Sequence, residues 1–344
     1  NTAVGKDALD ANTTASNNTA MGHSALEANT TASNNTAFGY NTLADNTTGI
    51  NNVAMGSYAA DANTTGHYNV ALGTLSLSAS TTADGNTSVG YGALTANTTA
   101  GDSVAVGREA LTANTTGARN VAVGAYTLDA NTTDTDNTAL GYQALTAAAG
   151  AYYTVGVGTY AGKALTTGTH NTFVGYNSGA ATTTGANNTA VGAAALQANT
   201  TGAHLTAVGK DALAANTTGD NNIGIGRDAG QSITEGSNNI AIGVEALENV
   251  TTANMNLAIG KGAGAANTSG TENVFIGHEA GNDVTTGAGH TLIGFKAGDK
   301  ITTASQNTAV GDEALGANTG GALNTAVGYN AMLGNTTGGD CTAV

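Results

Sequence analysis

Proline and tryptophan are absent from the 344 residues, cysteine occurs once and phenylalanine 4 times. With 50 glycines but no proline, and no glycine at every third place, collagen is excluded. Cys341 alone allows no internal disulfide, so cysteine usage does not reveal a compartment. Basic residues are scarce, 9 against 24 acidic, for a net charge of −15. They are scattered singly, so nucleic acid and anionic membrane surfaces are not expected as partners, since both need clustered Lys and Arg. The acidity instead suits a long surface that must stay soluble. There is no signal peptide, no initiator Met and no apolar run of membrane-spanning length, so no membrane insertion is expected. Large apolar residues are also few, because the hydrophobic content is mostly Ala, Val and Leu. That argues against an ordinary globular core.

What the chain has is a period. Asn1-Thr-Ala-Val-Gly5 returns in variant form at Asn18, Asn35, Asn52 and every 17 residues thereafter. Twenty units and a four-residue stub, Cys341–Val344, fill all positions without insertion or deletion. A fixed period of this length signals a solenoid. It predicts one continuous repeat domain over 1–344 rather than the two domains that length alone suggests. Both ends fall inside the repeat, so a segment of a longer chain, or its mature repetitive part, is expected.

Stacking the twenty units gives one reading of each position. Positions two and four are Thr, Val, Ile or another apolar residue and position three is nearly always Ala, as in Asn239-Ile-Ala-Ile-Gly243. This period-2 alternation of β-branched residues predicts a short strand with one packed face. Position five is Gly in every unit, including Gly5, Gly22 and Gly39. Such a column implies a backbone requirement, either a positive φ at a corner or close approach of a neighbouring chain. Position eight is always Ala, Ser or Thr, so room there is small.

Positions nine and twelve are coupled. Leu at nine goes with Asn at twelve, as in Leu9/Asn12, Leu26/Asn29 and Leu94/Asn97. Where nine becomes Gly, twelve becomes large: Gly162/Leu165, Gly230/Ile233, Gly281/Val284 and Gly298/Ile301. Gly179/Thr182, Gly264/Asn267 and Leu247/Val250 break the rule. The exchange reads as volume compensation in a close-packed interior, which turns position twelve inward. Two readings of Asn12, Asn29, Asn46, Asn63, Asn97 and Asn114 follow. All stand in Asn-Thr-Thr and fit the N-glycosylation acceptor pattern. The alternative, favoured by the coupling, is an interior amide ladder bonding from coil to coil. Thr at position thirteen would then form an outward hydroxyl row.

Seventeen residues suffice for a coil of two or three short strands, and coils stacked ~4.8 Å apart predict a rod of roughly 95 Å. About four substantial apolar side chains per coil make a thin core, which favours lateral association of several chains. The Ala column at position three and the Gly column at position five are the smooth face expected to form that contact.

The run Asn-(Thr/Val/Ile)-Ala-(Val/Ile)-Gly, best seen at Asn120-Val-Ala-Val-Gly124 and Asn137-Thr-Ala-Leu-Gly-Tyr-Gln-Ala-Leu145, resembles the head repeat of YadA-type trimeric autotransporter adhesins. It is also similar to repeats of phage tail fibres. The resemblance spans the whole chain, although the adhesin head repeat is shorter, and no coiled-coil stalk, membrane anchor or chaperone-like C-terminal domain accompanies it. It implies a left-handed parallel β-roll, three chains about one axis, and a role in adhesion or as a fibre shaft.

The sequence carries no recognisable catalytic constellation. His23, His67, His170, His204, His278 and His290 lack metal-ligand spacing and are expected to be solvated. Gly156-Val-Gly158 and Gly224-Ile-Gly226 miss the third glycine of a dinucleotide loop. Lys6-Asp7, Arg108-Glu109, Lys210-Asp211 and Arg227-Asp228 read as a solvated corner at positions six and seven. Tyr40, Tyr91, Tyr142, Tyr176 and Tyr329 share position six, where packing over a corner is expected ahead of contact with sugars. Cys341 replaces Asn in its column and is a candidate cross-link between neighbouring chains. The sequence therefore predicts an all-β parallel solenoid without enzymatic activity, cofactor or metal, acting as an extracellular, cell-surface or virion tail-fibre segment. Its expected partners are itself, as a homotrimer that also stacks end to end, and a host-surface or glycan receptor. One rival is an ice-binding solenoid, opposed because adjacent Thr13 and Thr14 should face opposite ways. The other is a polysaccharide depolymerase, opposed because paired carboxylates are missing.

Overall fold

The computed structural model describes all residues, Asn1–Val344. The chain is all-β and parallel, a β-solenoid in which each 17-residue repeat is one coil, and it contains no helix. Contacts group into two compact units, Asn1–His170 and Asn171–Val344. The first holds β1 (Thr2–Val4) to β10 (Val155–Val157), the second β11 (Thr172–Val174) to β21 (Thr342–Ala343). Within each unit the same repeat position pairs with itself: Thr2 with Thr19 and Ala3 with Ala20 in the first, Thr189 with Thr206 and Ala190 with Ala207 in the second. At ~4.8 Å per strand, the coils of β1 to β10 rise roughly 48 Å.

Only one strand forms per coil, fewer than expected, and the reason is local. Positions seven, nine and seventeen are left-handed, with φ of 59° at Asp7, 55° at Leu9 and 60° at Asn17, and the pattern recurs coil after coil. Left-handed residues cannot continue an extended run. The turns still bond from coil to coil. Leu9 N–H donates to Ala25 O at 3.1 Å, Ala11 to Glu27 at 3.0 Å and Thr13 to Thr30 at 3.0 Å. Gly22 donates the other way to Val4 at 2.9 Å, Ser24 to Lys6 at 3.0 Å and Asn34 to Ser16 at 3.1 Å. The backbone is thus satisfied around the coil without further strands.

Positions one, three, eight, nine, twelve and fifteen face inward. In the second coil these are Asn18, Ala20, Ala25, Leu26, Asn29 and Ala32, all buried. The Ala column therefore lies in the core and not on the smooth outer face expected of it. Strand alternation sends positions two and four out and position three in. Ala suits the inward site because position nine of the preceding coil fills the space: a Cβ on Gly156 would stand 2.8 Å from Leu145 Cγ. Thr13 and Thr14 do not face opposite ways either. Both lie outside, since this stretch is a bend between inward positions twelve and fifteen.

Candidate functional site

Two columns set the cross-section, a glycine column where coils touch and a leucine column in the core. At position five, φ is 135° at Gly5, 144° at Gly22 and 137° at Gly39. A Cβ on Gly5 would lie 2.3 Å from the Gly22 carbonyl oxygen, and one on Gly22 2.1 Å from that of Gly39. Positive φ and close approach both demand glycine, and the approaching backbone is the next coil of the same chain. At position nine, Leu9 and Leu26 sit at φ 55° and 53°. A left-handed leucine costs about 1–2 kcal/mol, whereas burying its side chain gains about 1.5–3 kcal/mol, so the site is tolerated because it is filled.

That balance resolves two of the three broken exchanges, Gly179/Thr182 and Gly264/Asn267. Glycine at position nine relieves the backbone but empties the core, and the volume returns from position twelve or position three. Leu165, Ile233, Val284 and Ile301 fill it from twelve, all fully buried. Phe173, Phe275 and Leu292 fill it from three. A Cβ on Gly179 would lie 2.4 Å from the Phe173 ring, and one on Gly264 2.4 Å from Phe275. The phenylalanines in the Ala column were the available signal, and a pairwise reading of nine and twelve missed them.

The side-chain amides form two ladders. At position twelve, Asn29 Nδ2 donates to Asn12 Oδ1 at 3.2 Å, Asn46 to Asn29 at 3.1 Å and Asn63 to Asn46 at 2.8 Å. Asn97 and Asn114 instead close their own turns, donating to Ala100 O at 3.0 Å and Gly117 O at 2.9 Å. Asn29, Asn46, Asn63, Asn97 and Asn114 are buried and Asn12 is half-buried. A glycan on any of the buried five would have to occupy the interior. The second ladder, at position one, was not foreseen. Asn18 N–H donates to Asn1 Oδ1 at 2.9 Å, Asn35 to Asn18 at 2.8 Å and Asn52 to Asn35 at 2.8 Å. Each Nδ2 meanwhile donates within its coil, Asn18 to Ala32 O and Asn35 to Gly49 O, both at 2.8 Å.

His290 corrects the expectation that every histidine is solvated. It occupies position one, is 1 % exposed and reproduces the asparagine bonds. Its Nδ1 accepts from Asn307 N–H at 3.2 Å and its Nε2 faces Ala304 O at 2.8 Å. This requires the neutral ring with the proton on Nε2. Burial pushes its pKa below the ordinary value, against a smaller opposing effect of the two backbone bonds.

Outside the coil the polar columns differ in availability. Position-thirteen threonines are engaged: Thr13 Oγ1 donates to Thr30 O at 3.0 Å and Thr47 to Thr64 O at 3.0 Å. At the corner after position five, aromatic rings from positions six and seven interleave. His23 stacks on Tyr40 at 5.3 Å and Tyr40 meets Tyr58 edge-on at 5.3 Å. Tyr126, Tyr142 and Tyr160 follow the same pattern at 6.2 and 5.6 Å. Arg108 lies over Tyr126 at 4.6 Å, and Lys163 over Tyr160 at 4.7 Å. The column reading at position six found Tyr40 and Tyr142 but not Tyr58, Tyr126 and Tyr160 one residue on. In the second unit the corner carries more ion pairs, with Arg227 between Asp228 and Glu245 and Lys210 on Asp211, alongside one ring pair, His278 stacked on Phe295 at 5.5 Å.

A groove of about 480 Å³ runs beside the aromatic corner, lined by His23, Tyr40, Asp10, Glu27 and Asp45 among others. No group of three His, Cys, Asp or Glu is placed to hold a metal, and no helix is long and apolar enough to cross a membrane. Cys341 is exposed. No family model matches the chain, and no curated protein matches it.

Proposed function

We propose that the chain is a non-catalytic segment of an extracellular fibre or adhesin, at a cell surface or in a virion tail fibre, that spans distance and displays a repeated surface. The observation that supports this best is the outer face of the strands. Position four is Val, Ile, Leu, Met or Phe in every full coil, and positions two to four carry no charged residue in a chain of net charge −15. Val4, Met55 and Leu140 on this face are 55 %, 45 % and 46 % exposed. A strip roughly 10 Å wide over a 48 Å rise covers about 480 Å² in the first unit, against about 300–600 Å² for the largest patch of an ordinary monomer. The second unit carries a strip of its own. A patch of this size is within a monomer's range and of the kind that is often functional, and because it repeats with the coil, other copies of the chain would cover it with the same period. The homotrimer is thus proposed with its seam on positions two and four, with end-to-end stacking as the axial counterpart.

The test is the solution mass by light scattering, with wild type expected near three chains and Val106→Glu/Val123→Glu near one. A single-chain mass for the wild type removes the trimer. An ice-binding role is the second reading, because positions two and four are outward columns separated by an inward residue on a pleated face. It is disfavoured: position four bears no hydroxyl in any coil, and the Thr13 column spends its hydroxyls on the next coil. Absence of thermal hysteresis would dispose of it.

A further inference from the structure

We infer that the aromatic corner of the first unit is a binding platform for a neutral, extended, β-linked polysaccharide lying along the coil axis. The inference deepens the display role proposed above by naming a surface and its ligand. Ring follows ring in successive coils, His23–Tyr40–Tyr58 and Tyr126–Tyr142–Tyr160, with centroids 5.3 to 6.2 Å apart. That spacing is close to the length of one pyranose in an extended β-linked chain, so one sugar can meet one coil. The C–H face of such a sugar is weakly positive and stacks on the negative face of an aromatic ring. Tyr40, Tyr58 and Tyr142 are 46 %, 36 % and 42 % exposed, which leaves ring surface to cover.

Hydrogen-bond acceptors stand beside both runs. Asp61 lies three residues after Tyr58 and Asp129 three residues after Tyr126, so each shares its coil with a ring of the row. In both aspartates Oδ1 is buried, so a sugar hydroxyl can meet only the outer side of these half-buried carboxylates. Burial raises the pKa of both, against a smaller opposing effect of the neighbouring backbone N–H groups. Sugar hydroxyls are donors of the right kind. Asp10, Glu27 and Asp45 add carboxylates along the groove at His23 and Tyr40. Along the His23–Tyr58 run these carboxylates repel uronates and sulfated sugars, which favours neutral chains there, while Arg108 and Lys163 lie over the Tyr126 and Tyr160 rings of the second run.

The experiment is affinity electrophoresis of the full chain through gels containing mixed-linkage β-glucan, β-mannan or, as the anionic control, polygalacturonate, followed by calorimetry with the matching oligosaccharides. Wild type should be retarded by at least one neutral β-glycan and not by polygalacturonate. Tyr40→Ala/Tyr58→Ala/Tyr142→Ala should bind at least tenfold more weakly, while Tyr→Phe at the same sites should stay within about threefold, since the stacking face remains. No retardation of wild type by either neutral glycan, undiminished binding by the alanine variant, or preference for the polyanion would each overturn the inference. Solution mass and melting temperature read on the same variants separate this outcome from failure of the fibre reading, because neither depends on sugar.

Discussion

The two units share a period, a strand and a glycine column, yet they fill the coil differently and dress its corner differently. In Asn1–His170 the interior is mostly Leu at nine, Asn at twelve and Ala at three, and the corner is aromatic. In Asn171–Val344, Phe173, Ile233, Phe275, Val284, Leu292 and Ile301 enter the core, and the corner carries ion pairs. The backbone path is the same in both. The strict requirements are therefore few: a glycine where coils touch and a filled interior. A side-chain acceptor for the buried N–H at position one is usual, but it is a hydroxyl at Ser103, a ring nitrogen at His290 and absent at Leu205. The identity of the filler is free, because volume may come from three, nine or twelve. Corner residues are freer still, which is where recognition can vary without disturbing the coil.

Substitutions that ignore this division should hurt both units alike. Gly107→Ala in the first and Gly243→Ala in the second each place a Cβ against the next coil's carbonyl oxygen, at 2.5 and 2.6 Å, with φ at 137° and 131°. Backbone strain and overpacking together predict a loss of roughly 3–5 kcal/mol for either, read as a fall in the denaturant midpoint. A mild effect in one unit would mean that the coils there are not stacked at this spacing.

The fillers should separate the units. Phe275→Ala empties a site that glycines 264 and 281 cannot refill and should cost about 3–5 kcal/mol. Leu94→Ala in the first unit should cost about 2–4 kcal/mol. The sharper measurement is the cycle Phe275→Ala with Gly281→Leu, which rebuilds the Leu/Ala pattern of the first unit inside the second. Gly281→Leu alone clashes with the Phe275 ring, so the double variant should be more stable than the sum of the two losses. Strict additivity would reject volume compensation.

Much of this was legible in the sequence. Period, strand position, glycine column and inward position twelve all follow from twenty copies of one pattern, each copy a test of the others. What was hidden has physical reasons. Asn at position one looked like a motif marker because nothing in sequence distinguishes an amide that accepts a backbone bond from one that merely ends a turn. Left-handed leucine is rare enough that two or three strands per coil were expected, whereas Leu9 makes a turn. Tyr58 and Tyr126 escaped because strand logic puts neighbouring residues on opposite faces, whereas a left-handed corner puts positions six and seven in one row.

His290 gives the second unit a pH dependence that the asparagines of the first lack. Its folded pKa lies below its unfolded value, so the unfolded chain binds the proton more readily. Stability is full above the unfolded value of about 6.5 and falls as pH drops below it, by at most about 1.4 kcal/mol per unit, until the folded pKa is passed. Protonation also turns Nδ1 from acceptor to donor against Asn307 N–H. His290→Asn should flatten the melting temperature between pH 6.5 and 5 relative to wild type. An unchanged profile would place the titration elsewhere.

The smallest effect concerns a break in the first unit's inner ladder. Asn63 donates down to Asn46, but the next coil offers Ser80, too short to reach back, and both Asn63 Oδ1 and Ser80 Oγ are buried without partners. Ser80→Asn supplies an Nδ2 for Asn63 Oδ1. The surroundings are those of a standard coil, with Leu77 at position nine and the Ala83 carbonyl at position fifteen. One interior hydrogen bond is worth about 0.5–1.5 kcal/mol, and the gain should include relief of a buried acceptor, against the small cost of ordering one more amide. A rise in the denaturant midpoint at constant m-value is the expected result. A fall would mean that the cross-section at Leu77 is already full, and that serine stands there for volume rather than by default.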